Sequence, residues 1–254
     1  MPVQDFLIVS IGDSVASGEG NPDIAGGAPV WQDEQCHRSA LAGPARAAQA
    51  VEAADPRTSV TFVHLACSGA TVMAGLLGSY AGIVPGALLP PQVDQLKNLV
   101  GNREIDALLV SIGANDLQFS NLVERCFIRP ACDAGGPGSA ATLFARRLPL
   151  LPGRYDALAA ALGNLTPHDD RVLIAEYFDP TRDDAGQPCD GTILNDHPAG
   201  SPLFGITAAE AAWASNVMLT GLNAEVASAA GRHGWEFVGG ITSQFFNHGY
   251  CAAD

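Results

Sequence analysis

Phe6-Leu7-Ile8-Val9-Ser10-Ile11, followed at once by Gly12-Asp13-Ser14-Val15-Ala16-Ser17-Gly18-Glu19-Gly20, is the stretch on which the fold reading turns. A run of mostly apolar and β-branched residues that stops at Gly-Asp-Ser reads as a buried parallel strand, because a strand covered on both faces loses the polar alternation of a half-exposed one. Open α/β sheets hold their ligands beyond the carboxyl ends of such strands, which is where Ser14 falls. Ser and Asp are also ordinary N-cap residues, so the same three residues fit a plain helix start. The stretch alone leaves both readings open.

Outward from it the same pattern recurs. Ser59-Val60-Thr61-Phe62-Val63-His64-Leu65-Ala66 reads as a second strand and runs into Cys67-Ser68-Gly69-Ala70-Thr71. Ile105-Asp106-Ala107-Leu108-Leu109-Val110-Ser111-Ile112 reads as a third and ends at Gly113-Ala114-Asn115-Asp116. Residues 171–178 and 235–238 supply two more. Helices are expected between them: over 39–54 with Ser39 as cap and Asp55-Pro56 as stop, over 92–99, over 140–162 with interruptions near Pro149 and Pro152, and over 207–230. Thr207 and Glu210 have the spacing of a capping box. Strands alternating with helices, without an internal repeat, predict an α/β fold, a three-layer α/β/α sandwich with a central, mostly parallel sheet, in a single domain over 1–254.

The remaining segments read as loops. Residues 18–30 are rich in Gly and Pro and 31–38 continue the same loop, and 179–205 is long enough to be functional or flexible. Residues 72–91 carry Met73, Leu76, Leu77, Tyr80, Ile83, Val84, Leu88 and Leu89 among glycines and prolines. That composition fits an apolar pocket and a packed surface loop equally well.

A chain of 254 residues with 47% hydrophobic content can bury a large core. Its formal charge of -14 argues against nucleic acid and strongly anionic membranes as partners, since like charges repel over roughly the ~8 Å Debye length of physiological salt. No run of about 20 apolar residues spans a bilayer. The first strand begins within a few residues of Met1, so no signal peptide is expected in this sequence. Six cysteines, Cys36, Cys67, Cys126, Cys132, Cys189 and Cys251, form no Cys-x-x-Cys pair and have no histidine cluster at metal spacing. That favours disulfides over zinc, and hence a secreted protein.

Three successive strands thus end in turns carrying Ser14, Gly69 and Asn115, and His248 follows the last strand. Parallel strand ends converge, and acyl transfer needs a hydroxyl nucleophile, an imidazole base and donors for an oxyanion. Gly12-Asp13-Ser14, the Gly69 turn, Gly113-Ala114-Asn115-Asp116 and His248, in this order, resemble the blocks of the SGNH hydrolases, the GDSL esterases and lipases. The resemblance runs from Ile8 to Cys251, and the cysteine layout is most similar to the secreted actinobacterial branch. It implies a flavodoxin-like SGNH fold and a serine esterase, lipase or phospholipase acting on small-molecule or lipid esters. It implies Ser14 as nucleophile, His248 as base, and the Ser14 and Gly69 N–H groups with the Asn115 amide as oxyanion donors. No cofactor and no metal are implied, and a monomer is expected. The pairings Cys36–Cys67, Cys126–Cys132 and Cys189–Cys251 rest on the same resemblance and on where the turns converge. A carbohydrate O-acetyl esterase, with Trp31, Tyr80 and Tyr250 stacking on sugar, is the nearest alternative, and an inactive binding module on the same fold is a further one.

One departure from the family pattern concerns the third catalytic group. The Asp common three residues before the histidine is here Phe245, whose main-chain carbonyl is the expected partner of the imidazole. Of His37, His64, His168, His197 and His233, none has a comparable block around it, and His197 in the long loop is the best of these. A Cys189–Cys251 bridge would bring Asp190 within roughly ~10 Å of the His248 loop, so Asp190 and Asp196 are the competitors. Asp190→Asn and Asp196→Asn are each expected to lower kcat/KM by less than about tenfold, whereas a steady-state loss near ~10⁴-fold would identify a true triad carboxylate.

Overall fold

A computed structural model of the chain describes residues 3–163, 165, 171–191 and 205–253. Its contacts gather into two compact units, one of Met1–Asn115, Gly153–Ala175 and Ala229–Phe237, the other of Asp116–Pro152, Glu176–Ser228 and Val238–Asp254.

The first unit is built on a sheet that begins with β1 (Gln4–Gly12). A short antiparallel hairpin of β2 (Asp23–Ala25) and β3 (Ala28–Val30) stands apart from it. The sheet continues with β4 (Thr58–His64), β5 (Ala107–Ser111), β6 (Val172–Ala175) and β7 (Glu236–Val238), in the spatial order β4-β1-β5-β6-β7. β1 runs parallel to β4, from Gln4↔Thr58 to Ser10↔His64, and to β5, from Ile8↔Ala107 to Gly12↔Ser111. Leu7, Ile8, Val9, Ser10 and Ile11 are buried in succession, which is why the strand shows no polar alternation.

Helix Gly43–Ala54 connects β1 to β4, and helix Gln92–Val100 lies between β4 and β5. The chain steps to one side of β1 and then back past it, so right-handed crossovers place these two helices on opposite faces of the sheet. This is the α/β/α class that the alternation predicts. The reversal of step makes the carboxyl ends of β1 and β5 the switch point where such sheets hold ligands.

Some boundaries differ from expectation. The helix expected from Ser39 starts at Gly43, with Ala42 at its cap and a proline in its first turn. Ser39 instead donates to the Asn21 carbonyl at 2.5 Å and accepts from Leu41 N–H. The apolar loop is divided: Val72 and Leu76 are fully buried, while Met73, Ile83 and Leu88 are exposed.

The second unit contains helix Phe119–Ile128, which no cap or stop signal announced, and the Cys126–Cys132 disulfide joins it to the loop that follows. The capping box is present: Thr207 and Glu210 bond reciprocally, and the Glu210 carboxylate also accepts Cys132 N–H at 2.8 Å. The helix expected as one piece over 207–230 is divided into Ala208–Trp213, a π-helical turn Ala214–Leu219, and Thr220–His233. Cys36–Cys67 and Cys189–Cys251 pair as well, so all three expected disulfides are found. Among the described residues no helix is long and apolar enough to cross a membrane.

His64, opposite Ser10 in the β1–β4 register, buries both ring nitrogens without a hydrogen-bond partner among the described residues. Burial first, and the Arg38 guanidinium second, lower its pKa to about 4, against a weaker pull from the Ser17 backbone that falls short of a hydrogen bond. Below its unfolded pKa of about 6.5 the unfolded chain takes up a proton that the folded chain refuses. Stability is therefore full above that pH and falls towards pH 4. Urea midpoints measured from pH 7 to pH 4 are expected to drop across this window, and His64→Gln is expected to flatten the drop; an unaltered slope in the variant would assign it to other groups.

Candidate active site

The site begins where β1 stops. Gly12 has φ +143°, and a Cβ there would lie 2.1 Å from the Ser111 carbonyl oxygen, so only glycine fits. The buried Gln92 amide secures this residue from both sides: Oε1 accepts Gly12 N–H at 2.8 Å and Nε2 donates to its carbonyl at 2.9 Å. Asp13 N–H donates to the Ser111 carbonyl, and the buried Asp13 carboxylate accepts Val15 N–H as the N-cap of the one-turn helix Ser14–Ser17. The capping reading thus holds for Asp13, which leaves the Ser14 hydroxyl unused by the cap.

The turn after β4 is tied to this point, since Cys67 N–H donates to the Gly12 carbonyl at 3.0 Å. Within it, Ser68 N–H donates to the Cys36 carbonyl and Ala70 N–H to the Cys67 carbonyl, both at 3.1 Å. The Ser68 hydroxyl lies 2.9 Å from that of Ser17 and donates to Glu19 at 2.5 Å. The Ser68 carbonyl accepts from Tyr80 Oη at 2.7 Å. From the end of β5, Asn115 reaches in, and its Nδ2 donates to the Ala70 carbonyl at 3.0 Å. One of its two amide hydrogens is used there, and the other has no acceptor among the described residues. Against this background, Ser14 N–H and Gly69 N–H have no acceptor among the described residues.

His248 lies in the second unit, on a segment anchored to residues 178–189. Tyr250 N–H donates to the Pro180 carbonyl at 2.8 Å, Cys251 bonds to Cys189, and a Cβ on Gly249 would fall 2.1 Å from the Arg182 carbonyl oxygen. Phe245 packs on Phe178 with ring centroids 5.0 Å apart, and the Arg182 guanidinium lies 4.9 Å from the Phe246 ring centre. Beneath them the buried Asp179 accepts from Ser215 Oγ at 2.6 Å, Thr181 Oγ1 at 2.6 Å and Arg182 Nε at 3.0 Å. Burial alone would raise the Asp179 pKa, but those hydrogen bonds outweigh it and hold the group below the usual carboxylate range. The Phe245 carbonyl already accepts His248 main-chain N–H at 3.0 Å, and a carbonyl has a second lone pair.

The structure therefore brings Ser14, Gly69 and Asn115 to three neighbouring strand ends of the first unit, and holds His248 and Phe245 on one anchored segment of the second. Asp190 directly follows Cys189 and so stands near that segment; Asp196, His168 and His197 lie outside the described residues. His37 pairs with Glu19 at 2.9 Å and stacks on Trp31, and His233 pairs with Asp156 at 2.9 Å. Gln92 and Glu19 escaped sequence reasoning because an amide or carboxylate that serves a distant turn carries no local pattern. Tyr80 read only as a loop aromatic.

No curated protein matches the chain. Among solved structures, the extracellular lipase of Streptomyces rimosus is similar with a TM-score of 0.62 and 21% identity, over 98% of this chain and 85% of that one. Phospholipase A1 of Streptomyces albidoflavus NA297 gives 0.61 and 21%, over 97% and 84%. These likenesses show a shared fold. The model of the GDSL-like lipase/acylhydrolase family extends over residues 10–252, through every strand end described above and on past His248, and the chain belongs to this family of ester hydrolases.

Proposed function

We propose that the chain is a secreted, monomeric serine esterase or lipase that cleaves carboxylic esters through an acyl-enzyme on Ser14, its two units together forming one hydrolase domain. A single family match running through both units supports the last point. The observation that carries the reading is the pair of unused N–H groups at Ser14 and Gly69, in turns whose neighbouring polar groups are engaged. Three disulfides support an oxidising compartment.

In this reading Ser14 Oγ attacks the ester carbonyl as His248 takes its proton. The oxyanion is received by Ser14 N–H, Gly69 N–H and the remaining N–H of the Asn115 amide. Collapse expels the alcohol, which leaves with the proton returned by His248. Water then attacks the acyl-enzyme with His248 as base, and the carboxylic acid departs. The second lone pair of the Phe245 carbonyl orients the imidazole, and no step requires a metal or organic cofactor.

For the substrate, the exposed Met73, Ile83 and Leu88 that follow Gly69 offer apolar surface for an acyl chain. The sugar-ester alternative has less support, since one face of Trp31 is covered by His37 at a centroid distance of 4.5 Å.

A fluorophosphonate is expected to label Ser14, and silence would favour a binding module. Ser14→Ala and His248→Ala are each expected to abolish nearly all p-nitrophenyl ester hydrolysis, with the double variant little worse, because nucleophile and base act as a unit. A Ser14→Ala enzyme keeping a tenth of wild-type kcat would end the assignment. Leu88→Ser is expected to reduce activity on palmitoyl more than on acetyl esters at unchanged stability, and equal losses would count against an acyl surface. Leu76→Ala, by contrast, is expected to cost about 2–5 kcal/mol of stability in denaturant titrations, as for other fully buried leucines.

A further inference from the structure

We propose that Tyr80 is a positioning residue of the oxyanion site, acting through the Ser68–Gly69 peptide; the inference rests on the reading of Gly69 N–H as an oxyanion donor. The Ser68 carbonyl and Gly69 N–H belong to one planar peptide unit and point in opposite directions. Tyr80 Oη, donating to that carbonyl at 2.7 Å, therefore fixes the direction of the N–H at the other end. It also draws electron density towards the carbonyl oxygen, which makes the N–H a stronger donor, by an effect on the order of 10–30% per bond in a hydrogen-bonded chain.

Two features of Gly69 fit this role. Its φ of +80° is one that residues with a Cβ adopt with strain, and a Cβ placed there would lie 2.2 Å from Tyr80 Oη. The phenol thus occupies the space that any other residue at 69 would fill. Burial raises the Tyr80 pKa, so the hydroxyl is a dependable donor at neutral pH.

Tyr80 is itself held by a frame. Its N–H donates to the Leu89 carbonyl at 3.2 Å and its carbonyl accepts Leu89 N–H at 2.8 Å. The intervening loop wraps around Gln35, whose Nε2 donates to the carbonyls of Ala81 at 2.6 Å and Ala87 at 2.7 Å, while Ile83 N–H donates to the Gln35 carbonyl at 2.9 Å. A Cβ on Gly82 or Gly86 would strike Gln35 at 2.5 and 2.8 Å. Gln35 precedes Cys36, and Cys36 is bonded to Cys67 beside Ser68. The frame that holds the phenol is therefore covalently joined to the turn that the phenol orients.

The test uses the full chain with p-nitrophenyl butyrate as substrate and an alkyl trifluoromethyl ketone as transition-state mimic. Tyr80→Phe keeps the ring and removes the hydroxyl. It is expected to lower kcat about tenfold, less than the 10²–10³ of a deleted donor, with KM within about twofold and the ketone weakened by the same factor as kcat/KM. A hydroxyl that only stabilises the fold would lower the melting temperature and leave kcat and ketone affinity of the folded enzyme unchanged, which would overturn the proposal. If Tyr80→Phe does not fold, 3-fluorotyrosine at position 80, nearly the same size and a stronger donor, decides: at pH 7 the ketone is expected to bind more tightly, and unchanged or weaker binding overturns the proposal. Fluorophosphonate labelling of the wild-type chain separates the two levels. Labelled Ser14 with an indifferent Tyr80 refutes this inference alone, and an unlabelled Ser14 refutes the underlying reading and the inference with it.

Discussion

Where β1 leaves the sheet, a backbone N–H and a carbonyl of Gly12 come to lie in a buried place. Each would cost about 1–3 kcal/mol if left unpaired. Gln92 meets both with one side chain, from the first residue of the helix that follows the apolar loop. The other turns are fixed relative to this point: Ser111 accepts Asp13 N–H, the Gly12 carbonyl takes Cys67 N–H, and Asn115 follows four residues after Ser111. A single planar amide, with a donor and an acceptor side by side, thus holds the residue to which the other two strand ends are tied. No aliphatic residue of equal size could do so, and a carboxylate would present an acceptor to an acceptor.

The histidine segment is organised on a different principle. Around Gly12 one side-chain amide secures backbone from strands that are already paired, whereas residues 245–251 are held to the 178–189 loop by a disulfide, ring packing and single backbone bonds such as Tyr250 N–H to the Pro180 carbonyl. A loop of that kind has little order of its own, and the buried carboxylate of Asp179 supplies a fixed centre to which hydroxyls and a guanidinium are bound. Burying such a charge is costly unless it is paired and hydrogen-bonded, and here both conditions are met.

The central strand was legible in the sequence because burial on both faces writes itself as a largely apolar run without polar alternation, as at Leu7 to Ile11. The strand-end turns were legible because glycine at 12 and 69 is required by geometry. What stayed hidden depended on tertiary partners. Helix Phe119–Ile128 begins after Gln118 at φ +61° without a side-chain cap, so it carried no start signal. Ser39 looked like a cap and proved to be a loop tie. Leu76 and Met73 are both apolar, yet one is fully buried and the other half exposed, a distinction that no periodicity in that irregular segment records. The partners of Ser68 and Gly12 come from 12 and 80 residues away in sequence, beyond the reach of local patterns.

Arg182 shows how far a largely buried residue can be constrained by shape rather than by charge. Its Nε faces Asp179, Nη1 the Gly186 carbonyl and Nη2 the Ser215 hydroxyl, while its flat face covers the Phe246 ring. Those four directions are the edges and the face of one rigid plane. Lysine would carry the same charge but has no plane, so it could neutralise Asp179 only by giving up the ring and at least one of the other two partners. An exchange that leaves net charge and polarity untouched would thus release Phe246, two residues before His248, and shape-blind measures of substitution would score that change as harmless.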